Sequence, residues 1–276
     1  MKYVRFGEAG QEKPGILDKD GRLRELSGVV GDIAGEVLTD LPVVDPENLP
    51  LVQGNPRLGP PVGGIGKLIC IGLNYSDHAA EAGMEPPAMP IVFMKANSAI
   101  CGPNDTVLLP RGSEKGDWEV ELGVVIGRRA KYVSEAEALD HVAGYTIVND
   151  VSERAFQTEM SGQWTKGKSC DTFGPVGPWL VTPDELDDVQ GLDLWLDLNG
   201  ERMQTGNTEK MIFTVAQIIS HLSGLMSLNP GDVIATGTPP GVGMGMKPQR
   251  FLKEGDVMEL GVEGLGVQRQ AVGRDG

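Results

Sequence analysis

The chain has 276 residues, 40% of them hydrophobic and 23% charged, which suits a globular protein of one large domain or one domain plus a small partner. A net charge of −15, from 24 Lys and Arg against 39 Asp and Glu, argues against nucleic acid or an anionic membrane surface as a partner. No run approaches the ~18 apolar residues of a membrane span, and Cys70, Cys101 and Cys170 lack paired spacing, so they read as reduced thiols. "MKYVRFGEAG" lacks the apolar core of a signal peptide, and a cytoplasmic location is expected.

Residues 1–58 read as a small leading unit, and 59–276 as the main domain. "YVRFGE" and "KPGILDKDGRLREL" suggest short strands with a turn at Asp20-Gly21, followed by a connector rich in proline and glycine. "KLICIGLNY" is a buried strand opening the main domain. In "NYSDHAAE" after it, His78 and Glu81 are three apart, so in a helical turn they share a face and can hydrogen-bond. A carboxylate on one imidazole nitrogen leaves the other free to act as a general base for water. The bland reading is a surface helix with an incidental histidine. "AGMEPPAMP", with Gly83 and three prolines, suits a hinged lid over residues 74–90.

"PIVFMKANSAI" and "DWEVELGVVIG" are further strands. In the second, Trp118, Val120, Leu122 and Val124 alternate as an apolar face should, which sets Glu119 and Glu121 side by side on the other face. Two adjacent carboxylates repel and resist burial. A divalent cation between them would turn repulsion into coordination; a solvent-facing strand would leave them merely solvated. The pattern alone leaves both open. "SEAEALDHVA" suggests a helix with a Ser134/Glu137 capping box. "GYTIVNDV" is a strand ending at Asp150, placed to give a third acidic ligand, and "SERAFQTEM" reads as a helix carrying Arg154 and Gln157 on one face. "QWTKGKSCDTFGP" adds Lys166 and Lys168, cations that could hold a substrate carboxylate or could simply be solvated.

"LDLWLDLNGERM" forms a hairpin through Asn199-Gly200, and "TVAQIISHLSGLM" keeps helical spacing. "ATGTPPGVGMGMKP" is neither a Walker nor a Rossmann loop, because Pro248 follows Lys247 and no βαβ unit opens there. It reads instead as a strand leading to a loop that brings Thr238 and backbone amides to a ligand. With "DVMELGVEGLG", strands outnumber helices without alternating regularly, so the fold class is β-rich mixed α/β and not a doubly wound sheet.

Taken together, "GLNYSDHAAE", "FMKANSAICGPND", "EVELGVVIG", "VNDVSERAFQ", "TKGKSCDTFGPVGPW", "NGERMQTGNTEKMIF" and "GDVIATGTPPGVG" resemble the fumarylacetoacetate hydrolase family over residues 67–265. The resemblance implies a β-sandwich-like roll with a small N-terminal domain, assembled as a homodimer or a dimer of dimers. It implies that Glu119, Glu121 and Asp150 bind Mg²⁺ or Mn²⁺ and that His78 and Glu81 form a water-activating dyad on a closing lid. Lys168 would assist catalysis, with Arg154, Gln157, Thr238 and Lys95 meeting a small 2-oxo acid. The implied reaction is hydrolysis of the C3–C4 bond of a 2,4-dioxo acid with release of pyruvate. "SERAFQTEMSGQWTKGKSCDTFGP" and "GTPPGVGMGMKP" most resemble hydrolases of 2,4-diketo-3-deoxy sugar acids such as L-2,4-diketo-3-deoxyrhamnonate. Ser161, Gln163 and Trp164 would then serve as hydroxyl partners and a wall. The alternatives are a 2-oxo acid decarboxylase, a ureidoglycolate lyase, a fumarylpyruvate hydrolase or, outside enzymes, a β-rich binding module with structural Ca²⁺.

Overall fold

The computed structural model describes residues 1–81 and 83–276. In chain order its strands begin with β1 (Lys2–Phe6), β2 (Lys13–Leu17), β3 (Leu23–Glu25), β4 (Leu68–Gly72), β5 (Ile91–Lys95) and β6 (Ile100–Cys101). They continue with β7 (Val107–Leu109), β8 (Gly116–Asp117), β9 (Val120–Ile126), β10 (Val142–Asn149), β11 (Ser152–Glu153) and β12 (Gly174–Val181). The last are β13 (Asp193–Leu198), β14 (Glu201–Asn207), β15 (Val233–Ala235), β16 (Val257–Val262) and β17 (Gly266–Arg274). The helices are α1 (Ser76–Glu81), α2 (Arg154–Thr158), α3 (Thr165–Lys168) and α4 (Val215–Leu225).

Two large sheets organise most of these strands, and β8 pairs antiparallel with β11 in a two-stranded ribbon. A ten-stranded sheet runs β3-β2-β1-β12-β10-β9-β15-β4-β5, with β6 pairing off β12, and a five-stranded sheet runs β14-β13-β16-β17-β7. The apolar face foreseen in "DWEVELGVVIG" is real: Trp118, Val120, Leu122 and Val124 are buried in the larger core with Leu194, Leu196, Met258 and Leu260 of the second sheet. Val125 on the opposite face joins the smaller core with Leu68, Cys70, Val148 and Val176. Burial on both faces explains why β9 reads as an almost continuous apolar run.

Strands β1, β2 and β3, at the start of the chain, continue the main sheet instead of forming a sheet of their own. β1 pairs antiparallel with β12, Tyr3 opposite Leu180, and Tyr3 is buried in the core that Val125 joins.

One expectation needs correction, and two strands were missed. "SEAEALDHVA" is not an α-helix: only a 3-10 turn forms, over Ala138–His141. The Ser134 hydroxyl does bond the Glu137 carboxylate, at 2.7 Å, but the sheet takes the chain soon afterwards, when Val142 enters β10 opposite Ile126. So short a segment gains too few helical bonds to offset nucleation. Strands β12 and β17 escape the sequence pattern. Pro175 and Pro178 disguise β12, and in β17 the buried face is Gln268, Gln270 and Val272 while Val267 is exposed, so polarity runs against burial. By contrast α4 forms as expected, its Thr214 and Gln217 completing a capping box and Ile218, Ile219 and Leu222 facing the core.

Candidate active site

The antiparallel register between β9 and β10 assembles an acidic triad. Val148 lies opposite Glu121 and Asn149 opposite Val120, so Asp150 falls opposite Glu119, on the face that carries Glu121. The Asp150 amide donates to the Glu119 carbonyl at 2.9 Å, which continues the ladder past the strand ends. Glu119, Glu121 and Asp150 are 6%, 2% and 0% exposed, and one oxygen from each lies within 4.8 Å of the others. The parallel pairing of β15 with β4 brings in the loop after Ala235, whose Gly237 amide donates to Glu121 at 2.8 Å. Gly237 has φ +103°, and a Cβ there would stand 2.7 Å from the Asn74 Cβ, so glycine is required.

Buried cations answer most of this charge. Lys168 Nζ donates to Glu119 and Asp150, at 2.7 Å each. Arg154 Nη2 donates to the other Glu119 oxygen at 2.6 Å, and Lys95 Nζ to the other Asp150 oxygen at 2.5 Å. Burial alone would push the Glu119 carboxyl up, but Lys168 and Arg154 outweigh it and hold it at about 2. Burial lowers the Lys168 ammonium, yet Asp150 and Glu119 more than restore it, and it stays charged. Glu121 is the exception. Burial, then Asp150 and Glu119 beside it, drive its carboxyl well above the usual range, and the charge of Lys168 and the Gly237 amide are together too weak to reverse this. An oxygen-only, buried donor set with one uncompensated carboxylate fits a hard divalent cation such as Mg²⁺ or Mn²⁺.

His78 and Glu81 do hydrogen-bond. α1 places His78 Nδ1 3.0 Å from Glu81 Oε2, which leaves Nε2 unengaged by that bond. Glu81 is held in turn by the Gly241 amide, at 3.1 and 3.3 Å to its two oxygens. A cavity of about 540 Å³ is lined by His78, Glu81, Glu119, Glu121, Arg154, Gln157, Lys168 and Thr238 together. Ala82, inside the expected lid, lies outside the described residues.

Five expected partners are placed otherwise. Lys95 is buried behind Asp150, donating also to the Val151 carbonyl at 2.9 Å, and does not line the cavity. Thr238 lines the cavity, but its hydroxyl donates to the Val120 carbonyl at 2.9 Å and accepts from Gln204 at 2.8 Å, so its proton is already used. Ser161 and Gln163 are exposed and outside the lining; Ser161 sits at φ +63° and bonds Lys166. Lys166, exposed on α3, lies outside the lining as well. Of residues 161–166 Trp164 alone reaches the cavity, where it meets Phe93 edge to face at 5.5 Å. With Ile71, Leu73, Ile91 and Val242 these rings make an apolar wall.

Sequence reasoning misses Asp117. Fully buried, it takes Arg154 Nε at 2.8 Å. The spacing of Asp117, Glu119 and Glu121, i, i+2 and i+4, could have found it.

Known proteins share this architecture. A protein of Burkholderia lata whose hydrolase name is itself only provisional is 63% identical over 276 residues, covering 98% of each chain. The structure is similar to a fumarylacetoacetate hydrolase from psychrophilic Exiguobacterium antarcticum, with TM-score 0.90, 35% identity and full coverage of both chains. It is also similar to a maleylpyruvate hydrolase from Sphingobium sp. SYK-6 in complex with manganese(II) and pyruvate, with TM-score 0.81, 26% identity and full coverage of both. A 2-hydroxyhepta-2,4-diene-1,7-dioate isomerase from Mycobacterium marinum follows at TM-score 0.77 and 34% identity, with 100% and 99% coverage. Residues 67–273 match the fumarylacetoacetate (FAA) hydrolase C-terminal family, and the chain belongs to that family.

Proposed function

We propose that the protein is a Mg²⁺- or Mn²⁺-dependent hydrolase that cleaves the C3–C4 bond of a 2,4-dioxo acid and releases pyruvate. The observation that carries this reading is the buried Glu119–Glu121–Asp150 cluster, whose Glu121 is bonded by a backbone amide and not by a cation, facing the same cavity as a His–Glu pair. The manganese and pyruvate held by the Sphingobium relative support it. A divalent ion bound by Glu119, Glu121 and Asp150 would act as a Lewis acid toward the 2-oxo acid end. Arg154, Lys168 and the Gln157 amide, whose oxygen is held by Arg154 at 3.0 Å, would orient the substrate carboxylate.

His78 Nε2 would then take a proton from water as it attacks C4, while Glu81 holds Nδ1–H and stabilises the imidazolium. Water's oxygen stays with the acyl half as a carboxylate. The C3–C4 electron pair goes to C3, which receives a proton to become the methyl group of pyruvate. The dyad favours hydrolysis over decarboxylation, since loss of CO₂ needs no attacking water. It also disfavours a structural Ca²⁺ module, which has no use for a His–Glu pair beside its cation.

The tail beyond C4 meets the apolar wall of Phe93 and Trp164. A 2,4-diketo-3-deoxy sugar acid would need hydroxyl partners, and Ser161 and Gln163 do not supply them, so this reading gives the substrate an acyl tail with an apolar face. A homodimer or a dimer of dimers in the cytoplasm belongs to the same reading.

Pyruvate release assayed with Mg²⁺ across acylpyruvates, fumarylpyruvate, the diketo-deoxyrhamnonate and oxaloacetate tests it. Cleavage of the acylpyruvates in preference to the sugar acid is expected. Decarboxylation of oxaloacetate alone, or isomerisation without cleavage, would overturn it.

A further inference from the structure

Asp117 is a fully buried acid that does not line the cavity. Its two oxygens are nonetheless fully used. Oδ2 accepts from Arg154 Nε at 2.8 Å and from the Met244 amide at 3.0 Å. Oδ1 accepts from the amides of Gly243, at 2.7 Å, and Trp118, at 2.9 Å. The contact with the loop is built in: a Cβ on Gly243 would stand 2.8 Å from Asp117 Oδ1 and 1.9 Å from the Arg250 carbonyl. The neighbouring Trp118 ties the same loop down, its indole Nε1 donating to the Gly241 carbonyl at 3.1 Å.

That loop is the one whose Gly241 amide holds the Glu81 carboxylate, and Glu81 holds His78. A continuous chain of hydrogen bonds and backbone therefore runs from Glu119 through Arg154, Asp117 and the 241–244 loop to the dyad. Asp117 is the joint. Its carboxylate bonds both the cation that orients the substrate carboxylate and the loop that holds the water-activating pair.

We propose that Asp117 is a positioning residue that sets the His78–Glu81 pair in register with the Arg154 anion site. A buried Asp–Arg pair kept only for stability would act on both ends alike. A positioning residue acts on the water step through His78, and so its effect depends on His78 being present. The inference rests on the dyad being the water-activating pair.

The test is a double-mutant cycle of Asp117→Asn and His78→Asn, with pyruvate release from acetylpyruvate and Mg²⁺ as readout. In Asp117→Asn the new side-chain NH₂ would face Arg154 Nε and the Met244 amide, so that a donor meets donors. We expect kcat to fall by about 30-fold in the wild-type background but by under about threefold in His78→Asn, the strong non-additivity of groups that act as a unit. Equal fold losses in both backgrounds would overturn the proposal.

Hydrogen exchange gives a reading independent of turnover. In Asp117→Asn, residues 76–81 should exchange faster together with 241–244, and unchanged exchange over 76–81 would also overturn it. A wild-type protein that cleaves no dioxo acid would sink the functional reading instead, while exchange still decides the role of Asp117. If Asp117→Asn does not fold, Asp117→Glu replaces it: the charge for Arg154 is kept and the loop amides are displaced. Calorimetry should then show oxalate bound with Mg²⁺ at wild-type affinity while kcat falls. Loss of oxalate affinity with kcat unchanged would refute the coupling.

Discussion

Asp18, Asp20 and Glu47 bring three carboxylates as close together as Glu119, Glu121 and Asp150 do, with oxygens within 4.8 Å of one another in each set. In the first cluster every acid has a cation. Asp18 accepts from Arg22 and Arg24, each at 2.9 Å, and from the backbone amides of Asp20 and Arg22. Arg22 also meets Asp20 at 2.8 Å, and Arg24 meets Glu47 at 3.1 Å. Although burial pushes the Asp18 carboxyl up, these bonds outweigh it and hold it at about 2. In the second cluster three cations serve Glu119 and Asp150, and Glu121 receives a single backbone amide. Proximity of acids alone therefore does not separate the two clusters. A buried acid without a cation in contact with it does, and it is the feature on which the proposed metal site rests.

The sharpest break between the clusters should come from chelation. Stripping divalent ions should abolish pyruvate release and adding back Mg²⁺ or Mn²⁺ should restore it, whereas Asp18→Asn should leave this behaviour untouched. Turnover that survives exhaustive chelation would count against the triad's role. Next in size, His78→Asn should lower hydrolysis by about 10²–10⁴-fold with ion binding retained, the usual worth of a general base. A near-normal rate would remove His78 from the water step.

A smaller effect is expected over residues 74–90, where the dyad helix meets Gly83 and the prolines. Amide exchange there should slow when oxalate and Mg²⁺ are added together, and stay unchanged in the Asp18 cluster. Equal exchange with and without ligand would argue against a closing lid. The smallest effect belongs to Asp18. Its folded-state pKa, about 2, lies below the ordinary 3.8, so it adds stability above the ordinary value and loses it as pH falls toward about 2. Asp18→Asn should therefore melt lower than wild type near neutral pH, and the gap should close as the solution approaches pH 2. A constant gap would mean the effect is not electrostatic.

The triad was legible because it uses the two simplest strand rules: alternation gives Glu119 and Glu121 one face, and the end of an apolar run marks Asp150. The dyad was legible because three-residue spacing on a helix has one geometric meaning. Which acid lacks a cation was not legible, since Lys95 and Arg154 reach the triad from β5 and α2 only after the sheet has formed. Lys95 illustrates the difficulty: the family resemblance implied a substrate contact, but β5 pairs with β4 at Leu68 and so sets it behind Asp150. β17 was hidden for a related reason. Gln268 donates to the Ile147 and Gly177 carbonyls, and Gln270 accepts from Asn149, so buried amides replace the apolar residues that mark an inward face. The partners of a buried polar residue lie far away in sequence, and alternation of hydrophobicity cannot report them.

The most direct measurement is calorimetric titration of Mn²⁺ into wild type, Glu121→Gln and Asp18→Asn, each also melted without metal. The account predicts one strong site in wild type and in Asp18→Asn and none in Glu121→Gln. It further predicts that metal-free Glu121→Gln melts at or above the wild-type temperature, because a buried carboxylate without a cation has been replaced by a neutral amide. A Glu121→Gln protein that binds Mn²⁺ with wild-type affinity would contradict it.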